Sequence, residues 1–479
     1  MGNATTASVT GVQVAPAKSA IRDLPIAKVW AFAVGQFGWA LLSGIISNWL
    51  VYFYQPDQET ISQGQTVFVP QGLVVLGIVT VVGGITAFAR FFDAFVDPAV
   101  ASLSDRCDAK SGRRMPFLKF AALPLAVVTV LVFWSPINGT SWVNAAFLFV
   151  TVIGYYIALT FYCTPYNALI AELGHDSKQQ LTISTAISFT WVAGTAIAYV
   201  APVIWGAFVP MMGRITAIRV TFTIMAAVAF VCMLVPPLAI REKDYVNSHP
   251  TSESTIESLK QTFGDGEFRK FVCSDVVYWV AITTFQTGLP FFVTSLLKLP
   301  ETTTTIYFVL MTIYFVLMTG VSVLFYLPVN ILANKVGKKR LLLVAFVIFT
   351  CAFAFAGALG SAVLGFIPAM AQGLVLSVVG AIPMAAFGIL PQAIVANIAD
   401  ASSKTTGQDR QGMFYAARTF AMKMGQSVAM LLFTGVSTIG MASGAGYRIA
   451  AVCAAVLCGL GGIVFAFYNE KKVLGVLET

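Results

Sequence analysis

The sequence predicts an all-α integral membrane protein of twelve transmembrane helices in two six-helix halves. Three observations predict it. Of 479 residues, 58% are hydrophobic and only 10% are charged, against about 25% charged in ordinary soluble domains; mean hydropathy is +0.82. Apolar runs of about 20 residues or more, long enough to cross a bilayer, follow one another with short polar breaks. Basic residues collect in alternate breaks.

Taken in order, the predicted spans are 26–54, 72–103, 116–135, 143–171, 181–209, 215–239, 270–297, 303–334, 340–359, 362–398, 411–438 and 446–468. The polar first 25 residues lack the apolar core of a signal peptide and read as a tail. With that tail in the cytoplasm, the segments on its side carry 22 of the 29 Lys and Arg residues, the opposite side carries Arg214, Arg219, Lys298 and Arg448, and Arg90, Arg418 and Lys423 fall within spans. The asymmetry places both termini in the cytoplasm. It also accounts for the net charge of +8 without nucleic acid. The halves are expected at 26–239 and 270–468, joined by a linker over 240–269 whose apolar spacing suits a short amphipathic helix, with a tail over 469–479. Seven cysteines without C-x-x-C spacing suggest neither disulfides nor a metal site. Residues 305–318 repeat TIYFVLM twice in tandem, nearly two helical turns each, and this copy has no evident function.

An internal echo supports the two halves. SDRCDAKSGRRMPF follows the second span and ANKVGKKRLLL follows the eighth. In the first, Asp105 and Arg106 precede the turn-forming Gly112 and the pair Arg113 and Arg114; in the second, Lys335 precedes Lys338 and Lys339. Such internal symmetry is characteristic of transporters made of repeats, and these clusters are candidate gating loops.

Function points to the charges inside the spans. ARFFDAFVDP puts Arg90, Asp93 and Asp97 in an apolar run, and Asp93 and Asp97 at i and i+4 share one helix face with Arg90. Lys423 reaches a similar depth in the eleventh span. A charge at mid-bilayer costs about 2.5–3.5 kcal/mol, so such groups are expected to face a pathway. Two carboxylates on one face can hold a small cation or a proton.

RFFDAFVDPAVASLSDR with GRRMPF, PYNALIAEL ending the fourth span, and GQDRQGMFYAARTFAMKMG entering the eleventh resemble the glycoside–pentoside–hexuronide:cation symporter family of the major facilitator superfamily, which includes the melibiose permease. The resemblance runs along the whole chain. It implies the major facilitator fold and alternating access, Asp93 and Asp97 as the site of a coupling cation, Na+ or H+, Lys423 near that site with Arg90 as a charge partner, and Arg410 as the loop arginine before the eleventh span. Between the aspartates the melibiose permease has Asn where this chain has Val96, which weakens the case for sodium. Its sugar-binding carboxylates fall at Ala40 and Cys163, and its fifth-helix arginine near Ala186. Gln36, Trp39, Asn48, Tyr162, Asn167, Trp191 and Gln392 are the expected solute-lining residues instead, suited to a sugar or glycoside, with lysophospholipids as the alternative.

A monomer in a bacterial cytoplasmic membrane is expected, with a small-molecule solute, the coupling cation and the bilayer as partners and no resident cofactor or metal. A membrane enzyme would need an acid–base or metal set in the spans, but both histidines, His175 and His249, fall in loops. A non-transporting sensor would lack only the flux.

Overall fold

The computed structural model describes residues 23–75, 77, 79–107, 109, 111–174, 177–246, 262–299, 302–303, 305–306, 335–406, 411–440 and 443–478. In the first half, α1 (Ile26–Tyr54), α2 (Val81–Asp105), α3 (Met115–Val132), α4 (Trp142–Leu173), α5 (Ser177–Met212) and α6 (Arg214–Ala239) are all long helices. In the second half come α7 (Gly266–Phe291), which runs on into a π-helical turn at Phe292–Leu296, then α8 (Lys338–Ala358), α9 (Ala369–Thr406), α10 (Gln411–Val436), α11 (Ala445–Ala466) and the short α12 (Glu470–Glu478). Nearly all of the expected span 303–334, with the tandem copy beyond its first two residues, and the middle of the linker, 247–261, lie outside the described residues. Among the described residues, eight helices are long and apolar enough to cross a membrane; the other three long ones described, α2, α9 and α10, include the two that carry the intramembrane charges.

Several boundaries differ from the sequence expectation: α9 runs Ala369–Thr406 where 362–398 is expected, and two other regions differ in kind. The described residues ahead of α2 make a tight turn, not the start of a helix: Val75 and Val79 exchange backbone hydrogen bonds of 3.0 and 3.1 Å, and α2 begins only after Thr80, whose hydroxyl accepts from the Gly83 amide at 3.0 Å. The apolar run hid the turn because hydropathy does not separate an apolar turn, whose Leu73 and Val74 are exposed, from an apolar helix start. The tail after α11 is also not plain coil, since Glu470–Glu478 is helical and its Val473 is buried.

Each half has its own core. α1 packs on α5 and α6, and its counterpart α7 packs on α10 and α11. Aromatic stacking fills both cores: Phe32 lies on Tyr166 at 4.3 Å, and Tyr278 lies flat on Phe387 at 3.8 Å. The broadest contact between the halves is α2 with α10.

The start of α1, the end of α6 and the end of α11 share one face of the molecule, tied there by local bonds such as Lys28 to Tyr245 at 3.0 Å and the Asn469 amide to Glu267 at 2.9 Å. On the far face the two halves are sewn together. The Gln55 amide, just past α1, donates to the Thr434 carbonyl and the Ser437 hydroxyl of the α10 end, each at 2.9 Å. Asp57 caps a short helical turn at Gln58–Ser62 through Oδ1, while its Oδ2 accepts from Thr294 at 2.8 Å and from Ser295 in the π-helical turn. Asp57 is 1% exposed, so this carboxylate is sealed between the halves with both oxygens satisfied, as a buried charge requires.

Candidate functional site

Geometry first, at the crossing of α2, α4 and α10. α2 presents Arg90, Asp93 and Asp97 along one stripe. α4 runs beside it, and its Thr160 hydroxyl donates to Asp93 Oδ1 at 2.6 Å while Thr164 donates to Asp97 Oδ1 at 3.2 Å. Both pairs are separated by 67 residues, so two i,i+4 ladders with the same rise face each other. From the other half, Lys423 Nζ lies 2.8 Å from Asp93 Oδ2 and 2.6 Å from Asp97 Oδ2. One ammonium thus bridges two carboxylates across the interface. Arg90 Nη1 sits 3.6 Å from Asp93 Oδ2, and its guanidinium covers the Tyr156 ring at 4.8 Å.

The two aspartates differ in access. Asp93 is 1% exposed and Asp97 is 23% exposed, so Asp97 is the one that solvent or an ion can reach. Asp97 and Thr164 are each followed by a proline within their helix, Pro98 and Pro165. A helical proline has no N–H to give the carbonyl four residues back, which leaves the carbonyls of Ala94 and Phe161 without that intrahelical partner. Two positive and two negative groups meet here, so the cluster is neutral overall, and any added cation must displace Lys423 or neutralise an aspartate.

α10 is held in place by its own half as well. Arg418 pairs with Asp275 of α7 through contacts of 2.8 and 3.1 Å. Gly425 permits close approach: a Cβ there would lie 2.8 Å from the Val276 carbonyl oxygen. These two pins bracket Lys423.

The aromatic residues expected around a solute are divided. Trp39 and Trp191 meet edge to face at 4.9 Å, and the Trp39 indole donates to Gln36 at 3.2 Å, forming an aromatic–amide corner between α1 and α5. Asn48 is buried on α1. Asn167 and Gln392 are exposed, the latter accepting at its backbone from Tyr415 at 3.2 Å. Tyr162 belongs elsewhere: it is fully buried, donates to the Met233 carbonyl at 2.9 Å and stacks on Tyr166, so it binds α4 to α6 instead of joining the corner.

The basic loops are tied within their own halves. Arg113 and Arg114 both hold Glu172 at the end of α4, at 2.7 Å each, and Arg114 also donates to Ser104 at 3.2 Å. Arg106 follows Asp105, the last residue of α2, and is exposed. Gly112 takes φ +120°, which few residues other than glycine tolerate, and the Glu242 carboxylate then accepts from the Arg114 and Met115 amides at 2.8 and 3.0 Å. In the second half, Gly337 takes φ +92°, Glu470 accepts from the Lys338 and Lys339 amides at 2.9 and 3.1 Å, and Lys339 Nζ reaches the Ala466 carbonyl at 2.6 Å. Lys335 is exposed, and Arg410 lies outside the described residues.

A family model described as MFS/sugar transport protein matches residues 31–469. The chain belongs to that family. Among curated relatives, this MFS/sugar transport protein is 25% identical over 226 residues to the inner membrane symporter YicJ of Escherichia coli, covering 46% of the chain and 47% of YicJ. It is 24% identical over 175 residues to the isoprimeverose transporter of Lactiplantibacillus pentosus, covering 36% of the chain and 33% of that protein, and 23% identical to the uncharacterized symporter YnaJ of Bacillus subtilis over 38% of the chain and 36% of YnaJ. The matched stretches thus span between a third and a half of these relatives. Among solved structures, the nucleoside transporter NupG superposes with TM-score 0.62 at 15% identity over 93% of the chain and 99% of that structure, and a bacterial homologue of the human drug peptide transporters PepT1 and PepT2 with TM-score 0.64 at 11% identity over 95% and 99%. At such identities the likeness concerns the fold, and it covers nearly the entire chain.

Proposed function

We propose that this family member is a secondary active transporter that couples entry of a small solute, a sugar or glycoside, to a cation by alternating access. The observation that carries the proposal is the Lys423 bridge to Asp93 and Asp97, 2.8 and 2.6 Å across the two halves. In this reading Lys423 is a tethered stand-in for the coupling cation. A proton or Na+ arriving at Asp97, the exposed member of the pair, weakens the bridge and releases α10 from α2; solute bound between the halves then favours reclosure on the other side. Thr160, Thr164 and the freed carbonyls of Ala94 and Phe161 supply hard oxygen atoms that suit Na+, whereas Val96 offers none, and neutralisation of Asp97 by a proton needs no further ligand.

The named relatives support a symporter, one of them a carrier of isoprimeverose, and the Trp39, Trp191 and Gln36 corner suits the apolar face and hydroxyls of a sugar ring. The basic-residue asymmetry supports a cytoplasmic position for both chain ends and a multi-pass site in a bacterial cytoplasmic membrane. With the seal at the far face, the conformation described is then the inward-facing one, and Arg113, Arg114, Lys338 and Lys339 exchange partners on the cytoplasmic face when it closes.

Reconstituted vesicles test the reading. Uptake of a glycoside should be concentrative only under an imposed sodium or proton gradient, and Asp93→Asn and Asp97→Asn should abolish accumulation; unchanged accumulation in both variants would refute it.

A further inference from the structure

The second half carries polar atoms that the coupling site does not use. Trp279 Nε1 and Thr283 Oγ1 on α7 and Gln426 Oε1 on α10 are each buried without a hydrogen-bond partner among the described residues. They lie within about one helical turn of one another along the axes. Gly425, whose Cβ would sit 3.5 Å from the Trp279 Cβ, fixes the contact of the two helices there; Thr283 is one turn beyond Trp279, and Gln426 is one turn beyond Lys423. The face of α10 that carries Gln426 also carries Ser437, which meets Gln55 of the first half, so this stripe is turned toward the interface between the halves. An unpaired buried polar atom is costly, and three on two adjacent helices near the depth of the charge bridge is a concentrated cost that a bound molecule would relieve.

Their chemistry restricts what that molecule can be. An indole N–H only donates, an amide oxygen only accepts, and a threonine hydroxyl does both. A carboxylate would face the Gln426 oxygen unfavourably and an ammonium would face the Trp279 N–H unfavourably. A hydroxyl answers all three.

We propose that Trp279, Thr283 and Gln426 form the second-half side of the solute site and hold hydroxyls of a neutral polyhydroxylated ring. This rests on the transport reading above and adds to it a specificity for uncharged rings over uronates. It also explains how solute and cation communicate: α10 bears Gln426 for the one and Lys423 for the other, a single turn apart, so a ring gripped against α7 steadies the helix whose lysine must leave the carboxylates.

Binding to the purified full chain tests the proposal, with a panel of neutral glycosides and the corresponding uronides titrated by calorimetry and the unfolding midpoint measured alongside. Trp279→Phe, which keeps the ring and removes the N–H, Thr283→Val and Gln426→Leu should each weaken the best neutral glycoside about 5- to 10-fold, the loss of one hydrogen bond, with the unfolding midpoint unchanged or raised because an unpaired polar atom has been removed. Full affinity in all three variants overturns the proposal while leaving the transport reading intact. A lowered midpoint in all three assigns the atoms a structural role and overturns it equally. A preference of the wild-type chain for uronides contradicts the assigned specificity, and a wild-type chain that binds no member of the panel removes the transport reading and this proposal together.

Discussion

Glu242 in the first half and Glu470 in the second do the same work at corresponding places. Each lies just after the last long helix of its half and reaches back to accept two backbone amides at the start of a helix of its own half, α3 or α8, beside a glycine at positive φ. A carboxylate on the free amides of a helix N-terminus satisfies donors that have no partner in the helix and meets the positive end of its dipole. The repeat is thus visible in side-chain chemistry as well as in helix order. It makes each half a clipped unit at this face, in keeping with motion of one half against the other.

Replacement of either clip should cost stability similarly. Glu242→Ala and Glu470→Ala are each expected to destabilise by about 1–2 kcal/mol, the scale of a lost helix cap. Thermal unfolding in detergent checks this; a large loss in one and none in the other would contradict the equivalence.

The charge bridge yields a compensation test. Lys423→Met leaves Asp93 and Asp97 facing each other without their common counter-ion, and a buried charge left unpaired costs about 3–5 kcal/mol. The double variant Lys423→Met with Asp97→Asn restores neutrality. We expect the single variant to reach the membrane poorly and unfold early, and the double variant to recover most of that loss while remaining unable to accumulate solute. Membrane yield and unfolding midpoint are the readouts.

The threonine ladder predicts an effect on the cation alone. Thr160→Val removes the hydroxyl 2.6 Å from Asp93 Oδ1 and should raise the half-saturating cation concentration by about 10- to 100-fold, the scale of one hydrogen bond to a charged group. Thr160→Ser should restore it. Initial uptake rates against cation concentration decide the matter, and an unchanged curve in Thr160→Val removes the hydroxyl from the site.

The far-face seal should be lockable. In a chain whose native cysteines have been replaced, Gln55→Cys with Ser437→Cys places thiols where a 2.9 Å hydrogen bond now joins the halves. A short reducible bifunctional reagent should stop transport, and reductant should restore it. Continued transport by fully cross-linked protein would show that the seal need not open.

Much of the scaffold was legible and some of the site was not, for identifiable reasons. α1 matches its predicted bounds because Pro25 starts it and a continuous apolar run carries it to Tyr54. The start of α2 was misplaced because hydropathy does not separate an apolar helix from the apolar turn ahead of it. Asp93, Asp97 and Lys423 stand out in a sequence because charge in a span is costly. Thr160 and Thr164 do not, since threonine hydroxyls commonly bond back to their own helix, and only the 67-residue register with the aspartates marks them. Asp57, Glu242 and Glu470 read as ordinary loop acids; their partners lie far away in the chain. Tyr162 was assigned to the solute because an aromatic residue in a span does not reveal which neighbour it faces.

Helix α10 leads to one more consequence. Near the face that bears the chain ends it is fastened to its own half by Arg418 on Asp275, and toward the far face it is fastened to the other half through Ser427 on the Ala87 carbonyl and through Thr434 and Ser437 on Gln55. A rod clamped to different bodies at its two ends is a torsion bar. Relative rotation of those bodies would wind the stretch beyond Gly425, while Lys423, bracketed by the two pins to its own half, would ride with that half, so the distance from its ammonium to Asp97 would serve as a gauge of how far the molecule has turned.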